Sequence, residues 1–300
     1  MIEINGVNKY FEDVKALDNI VATISEGSIF GLVGTNGAGK STLLRILSGV
    51  LEADTGMVLV DGEDVYENPH AKAKICFLSD TAYFFPNATA KSMAEFYSVA
   101  YPGFSFDRFY ELLERFGLEK KRKISAYSKG MKKQISILLG ICTGTKYLFC
   151  DETFDGLDPV MRQAVKSIFA SELMNRKFTP VIASHNLREL EDICDHIGLL
   201  HKGGILLSKD LEDMKFHIHK VQCVLQDPVK EEQILRELEV MQYEKRGSLM
   251  TIVARGTRQE ILMCIEEKRP IFSEVLPLTL EEIFISETEV AGYDVKNVIC

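Results

Sequence analysis

The chain has 300 residues, a formal net charge of −9 and seven cysteines. That length accommodates one large domain, or one with a smaller companion. The acidic balance argues against a nucleic-acid partner, which calls for a basic face, and an odd cysteine count without a C-x-x-C pair fits reduced thiols better than a disulfide framework or a zinc site.

No apolar run approaches the roughly 20 residues of a membrane span. Glu3 stands early, with no apolar segment behind it, so no secretory leader is visible. Residues 1–27 read as short strands and turns. Ser28 to Val33 then reads as a buried strand and Ser41 to Leu47 as a helix, with Leu43, Leu44 and Leu47 on one face. Between them lies Gly34-Thr35-Asn36-Gly37-Ala38-Gly39-Lys40-Ser41-Thr42, which fits the phosphate-binding pattern G-x-x-x-x-G-K-[ST]. The glycines let backbone approach a ligand closely. The N–H groups form an anion nest at a helix N-terminus. Lys40 is placed to reach β- and γ-phosphates, and Ser41 to ligate Mg²⁺. A nucleoside triphosphate with Mg²⁺ is therefore the expected ligand; the loop alone does not separate ATP from GTP.

Strand candidates follow at 57–60 and 75–78. Residues 89–145 read as mostly helical, with Thr89 and Ser105 as N-caps and Phe106, Phe109, Leu112, Leu113 and Phe116 on one helical face. A further helix starts near Ser128. The run Glu119-Lys120-Lys121-Arg122-Lys123 reads as a solvated loop or helix end, though it is the best candidate for a local basic patch. Strands return at 147–150, 181–184 and 197–200, with helices at 160–175 and 187–194 between them. Alternating strands and helices predict an α/β core with a mostly parallel sheet. Cys76, Cys142, Cys150 and Cys194 sit in apolar surroundings and are expected in the core.

The strand at 147–150 ends in Asp151-Glu152. Ligands bind beyond the carboxyl ends of strands in open α/β sheets, so acids delivered there are candidates for chemistry. Asp151 can hold Mg²⁺ through water, and Glu152 can orient and deprotonate an attacking water. Past Lys215 the pattern restarts: strands at 221–225, 249–254 and 273–276, helices at 229–238, 259–267 and 280–285, then a polar tail.

Over residues 1–210 the chain resembles the ATP-binding subunits of ABC transporters. Tyr127-Ser128-Lys129-Gly130-Met131 is similar to the LSGGQ signature. Asp151 to Pro159 is similar to the Walker-B and D-loop run, Ser184-His185 to the H-loop, and Phe11 stands where the adenine-stacking aromatic falls. The resemblance implies a P-loop NTPase core of ABC type, with an antiparallel β portion near the N-terminus and a helical lobe at about 86–145. Its domain would span 1–212, followed by an α+β accessory domain at 213–300. It implies a head-to-tail dimer, a homodimer or a heterodimer with a paralogous subunit. In that dimer Ser128 and Gly130 meet the γ-phosphate bound by the opposite chain, and His185 contacts γ-phosphate near Glu152. It also implies a separately encoded multi-span permease and a place on the inner face of the cell membrane.

Three positions depart from the family. Asp80 stands at the Q-loop glutamine, where it can still meet Mg²⁺ or water; Lys129 replaces a signature glycine; and Thr153-Phe154 replaces Pro-Thr. The ending Pro277-Leu278-Thr279-Leu280-Glu281-Glu282-Ile283-Phe284 is similar to that of ABC-2-type exporter ATPases. Alternatives are a soluble ABC-type ATPase in cofactor assembly and a weakly hydrolysing subunit of a heterodimeric transporter. The aromatic cluster Tyr83-Phe84-Phe85 reads as core of the helical lobe for at least two of its rings, with docking of a permease helix as the sharper alternative.

Overall fold

The computed structural model describes residues 1–290; the expected polar tail after residue 285 begins as a continuation of the last helix to Val290, and its remainder, 291–300, lies outside the described residues. The chain divides into two compact units, Met1–Ser208 and a second that begins at Lys209.

In the first unit, β1 (Ile2–Phe11) and β2 (Val14–Ile24) pair antiparallel. They are long strands, not the short ones expected. Register shifts at Gly6 and beyond break the apolar alternation that would have announced them. Next come β3 (Phe30–Val33), α1 (Lys40–Leu47), β4 (Thr55–Val60), β5 (Glu63–Asp64), α2 (Pro69–Lys72) and β6 (Ile75–Leu78). The helical lobe holds α3 (Ala90–Ala100), α4 (Phe106–Arg115) and α5 (Lys129–Cys142). Then follow β7 (Tyr147–Asp151), α6 (Pro159–Asn175), β8 (Thr179–Ser184), α7 (Leu187–Glu191), β9 (His196–His201) and β10 (Gly204–Asp210).

Two sheets result. One is antiparallel in the order β2-β1-β4-β5, and the other has six strands in the order β10-β9-β3-β8-β7-β6. The pairs β3–β9, β3–β8, β7–β8 and β6–β7 are all parallel. Strands buried on both faces need continuous apolar runs. Accordingly every residue of β3, β7 and β8 is buried. The core between the sheets joins Ile2, Ile4 and Val60 to Leu43, Leu44, Leu47 and Phe149. The sheets are also tied by polar contacts. Asp61, in the turn after β4, accepts hydrogen bonds from Lys146 Nζ at 2.7 Å and Tyr147 Oη at 2.7 Å. Burial opposes its ionisation, but these bonds outweigh that and hold its carboxyl far below the usual carboxylate range.

Local signals in the lobe hold. Thr89 and Ser92 form a capping box on α3, and the Ser105 side chain caps α4. Of the expected apolar face, Phe109, Leu112 and Leu113 are buried, whereas Phe106 at the first turn is exposed and Phe116, the C-cap, is half-buried. Cys76, Cys142, Cys150 and Cys194 are also buried, and burial pushes the first three thiols up to about 12. They are core residues without thiolate character. The aromatic cluster differs from its expectation. Tyr83 and Phe85 are exposed, and with Phe96 they form an edge-to-face row, the centroids 5.7 and 4.9 Å apart. No helix among the described residues is long and apolar enough to cross a membrane.

The second unit contains α8 (Leu211–His217), β11 (Ile218–Val224), α9 (Pro228–Glu237), β12 (Glu239–Arg246), β13 (Leu249–Arg255), α10 (Arg258–Glu267), β14 (Phe272–Leu276) and α11 (Leu280–Val290). Its sheet is antiparallel in the order β12-β13-β11-β14. From β11 to β14 the element order is βαββαβ, the ferredoxin-like arrangement. Val221, Cys223, Ile234, Ile252, Ile261 and Ile265 form its core. β12 is a strand that the sequence reading did not foresee. Its pattern is intermediate and exposed throughout, so it carries no buried alternation to read.

Candidate active site

Four strands that share a direction bring the candidate residues to one edge. In register, Val33 lies beside Ser184, Ala183 beside Asp151 and Cys150 beside Leu78. The phosphate-binding loop leaves β3, Asp151 ends β7 with Glu152 next, His185 follows β8, and Asp80 follows β6.

The loop is held from outside. The Gly203 N–H donates to Ala38 O at 3.1 Å, and a Cβ on Gly39 would lie 2.6 Å from Ala16 O. Gly39 has φ 105 and Gly37 φ 79, so each needs the left-handed freedom of glycine. Inside the loop the Ala38 N–H donates to Thr35 O at 3.1 Å, closing the turn that contains Asn36. Gly39 is the N-cap of α1, and Lys40, Ser41 and Thr42 form its first turn. The Lys40 ammonium is buried and donates to Gly34 O at 2.8 Å and Thr35 O at 3.1 Å. It also lies 3.5 Å from Glu152 Oε1.

Ser41 Oγ donates to Asp151 Oδ1 at 2.9 Å. Asp151 is only 3% exposed, and its carboxyl is pushed up, chiefly by burial. The Ser41 hydroxyl works against that shift, and the negative charges of Glu152 and Asp80 add to it. A hydroxyl and a carboxylate whose charge is crowded by two other acids suit a hard divalent cation. Among the described residues no cluster of three or more His, Cys, Asp or Glu could hold a metal alone. Ser41 and Asp151 would supply the one or two protein ligands that Mg²⁺ takes, the rest of its shell being water and phosphate.

Glu152 is bound on both sides. Its Oε2 lies 2.6 Å from His185 Nδ1, opposite the contact of Oε1 with Lys40. Its backbone has φ 49, a left-handed conformation that costs a side-chain-bearing residue about 1 kcal/mol or more. The Glu152 N–H donates to Ala183 O at 2.9 Å, and its carbonyl accepts from Lys133 Nζ at 2.7 Å. Lys133, on α5, is 3% exposed and also lies 3.2 Å from Asp80 Oδ1. No motif named Lys133. Its one signal was position, as a lysine within the segment that becomes the buried helix α5.

Other candidates stand apart from this group. Ser128 caps α5 by accepting from the Met131 N–H at 3.2 Å. Gly130 passes close to the Gly156 carbonyl, which a Cβ would approach to 3.3 Å. Among the described residues, no hydrogen bond joins either to the phosphate-binding loop. Phe11 is 47% exposed at the end of β1, with the Lys9 ammonium 5.8 Å from its ring. Of the departures from the family, Thr153 and Phe154 are fully buried, the Phe154 ring edge-to-face with Phe169. Lys129 is exposed at the start of α5.

A P-loop, two acids and a histidine at the same edge of a parallel sheet, with a helical lobe before the acid-bearing strand, define an ABC-type ATPase. The family model described as "ABC transporter" matches residues 17–155. The "ABC transporter ATP-binding protein YtrB" of Bacillus subtilis is 30% identical over 96% of this chain and 98% of its own length. The "Bacitracin transport ATP-binding protein BcrA" of Bacillus licheniformis is 28% identical over 72% and 71%. In fold, the chain is similar to a dimeric ATP-binding cassette solved in a post-hydrolysis state with ADP and Pi. The TM-score is 0.63 at 22% identity, covering 70% of this chain and 99% of that one. The chain belongs to the family of ABC transporter ATP-binding proteins. It is an ATP-binding subunit of an ABC transporter, and an ATPase.

Proposed function

We propose that this ATPase drives an export transporter, by closing two nucleotide-binding subunits around ATP and hydrolysing it with Glu152 as the group that activates water. The observation that carries the reading is the setting of the Glu152 carboxylate, 2.6 Å from His185 Nδ1 and 3.5 Å from Lys40 Nζ. A carboxylate held there by the phosphate-binding lysine faces the end of the bound triphosphate and can accept a proton from water. His185 orients that carboxylate and reaches the γ-phosphate. Lys40 and the N–H groups of 34–42 hold the phosphates. Ser41 and Asp151 would hold Mg²⁺, which would offset the negative charge of the phosphates. Phe11 stacks on the base.

Ser128 and Gly130 complete the site of a second subunit, a copy of this chain or a paralogue. Two features support that role: Ser128 and Gly130 lie away from their own loop, and they open an α-helix whose N-terminus favours anions. The exposed row of Tyr83, Phe85 and Phe96 is the docking surface for a separately encoded multi-span permease, which places the subunit peripherally at the inner face of the cell membrane. Export is supported by the ending 277–284, which is similar to that of ABC-2-type exporter ATPases. The second unit is an accessory domain. Detergent co-purification of Glu152→Gln with ATP and Mg²⁺ tests the proposal. A multi-span membrane protein is expected with it. Recovery of soluble chains alone, under conditions that preserve membrane complexes, would favour an assembly ATPase instead.

A further inference from the structure

Lys133 is a lysine buried in a helix, and its charge needs a partner. The structure gives it two: the exposed carboxylate of Asp80 at 3.2 Å and the main-chain carbonyl of Glu152 at 2.7 Å. That carbonyl belongs to the residue with φ 49, whose N–H is already held by Ala183 O. Both peptide groups flanking the left-handed residue are therefore tethered, one by β8 and the other by α5. A left-handed turn is the minority conformation of a glutamate; Glu12 and Glu67 adopt it in exposed turns, whereas at Glu152 both flanking peptide groups are held by neighbouring elements. The direction of the Glu152 side chain, toward His185 and Lys40, follows from that turn.

We propose that Lys133 is a positioning residue for hydrolysis. Its ammonium holds the Glu152 carbonyl and so fixes the aim of the carboxylate, and Asp80 serves as the counter-ion that holds this lysine in place. Asp80 thereby acts on catalysis through Lys133 and not as a ligand of the cation. The proposal rests on the assignment of Glu152 as the group that activates water.

The test is steady-state ATP hydrolysis by the full chain carrying Lys133→Met, Lys133→Gln, Glu152→Gln or Lys133→Met with Glu152→Gln. Affinity for a fluorescent ATP analogue and thermal melting are followed in parallel. Lys133→Met is expected to lower kcat by about 10- to 100-fold, the range of a misplaced catalytic group, with KM and analogue affinity within about twofold. Lys133→Gln keeps a donor for the carbonyl and is expected to recover most of the loss. In the Glu152→Gln background, Lys133→Met is expected to change residual turnover by less than about twofold, because residues acting as one unit are not additive. Multiplication of the two losses, an equal loss with Met and Gln, or a parallel fall in analogue affinity would overturn the positioning role.

Asp80→Asn, an exposed change, supplies the second arm. It is expected to lower kcat by about 3- to 10-fold with no change in the Mg²⁺ concentration for half-maximal rate. A raised Mg²⁺ requirement would return Asp80 to the cation and overturn the proposal. The two layers separate cleanly. Glu152→Gln at the wild-type rate refutes the assignment of Glu152. An impaired Glu152→Gln beside an unimpaired Lys133→Met refutes the positioning role alone.

Discussion

In the six-stranded sheet, β3, β6, β7 and β8 run parallel, and their carboxyl ends deliver the phosphate-binding loop, Asp80, the pair Asp151-Glu152 and His185 to one edge. In the antiparallel sheet of the second unit, neighbouring strands end on opposite sides. Polar side chains of its strands pair instead with carboxylates of α11: Lys220 with Glu282 at 2.6 Å, Gln242 with Glu289 at 2.8 Å, and Arg255 with Glu287 at 2.8 Å. Parallel strands gather residues that are distant in sequence, which is why ligands bind at such edges. Antiparallel strands disperse them. At the first sheet's edge Glu152 holds a left-handed backbone between two tethers, one from β8 and one from α5.

Glu152→Gln should break this contrast most sharply. Removing the carboxylate is expected to reduce hydrolysis by about 10²- to 10⁴-fold, the usual contribution of a general base, with nucleotide affinity preserved. Steady-state ATPase assays beside equilibrium binding check both halves. The matching change in the second unit is Ile234→Ala, at a fully buried core position. It should destabilise that unit by about 2–5 kcal/mol, read by calorimetry, and leave ATP affinity unchanged.

Asp61→Asn tests the tie between the two sheets of the first unit. The carboxyl is depressed in the folded protein, so its stabilisation is present above the unfolded carboxylate range and fades as pH falls toward the folded value. The variant should lose about 1–2 kcal/mol at neutral pH, and the difference from wild type should shrink under acid. Denaturant titrations at several pH values measure it. Lys220→Met should have the smallest effect, within about 1 kcal/mol, because its partner is a half-exposed carboxylate on the same unit. ATP turnover should not respond to it.

The legible parts were those where one backbone conformation demands one residue type. Gly37 and Gly39 with Lys40 announce a phosphate loop because no other side chains permit that turn and reach. Asp151-Glu152 announced themselves as acids after a fully apolar strand. Asp80 was legible as a position but not as a partner, since nothing in Leu78-Ser79-Asp80-Thr81 reveals a lysine arriving from α5. Lys133 escaped for the same reason, as side-chain direction across a fold is set by tertiary packing. The length of β1 and the existence of β12 escaped because bulges and exposure erase the period-two pattern on which strand reading depends.

Glu152, the residue just past β7, is proposed to activate the water that hydrolyses ATP held between two nucleotide-binding subunits. The direct measurement is size-exclusion chromatography of Glu152→Gln after incubation with ATP and Mg²⁺, with nucleotide identified in the protein peak. Intact ATP at the mass of a dimer is the predicted result. ADP in a monomer peak, formed as fast as by wild type, would contradict the account.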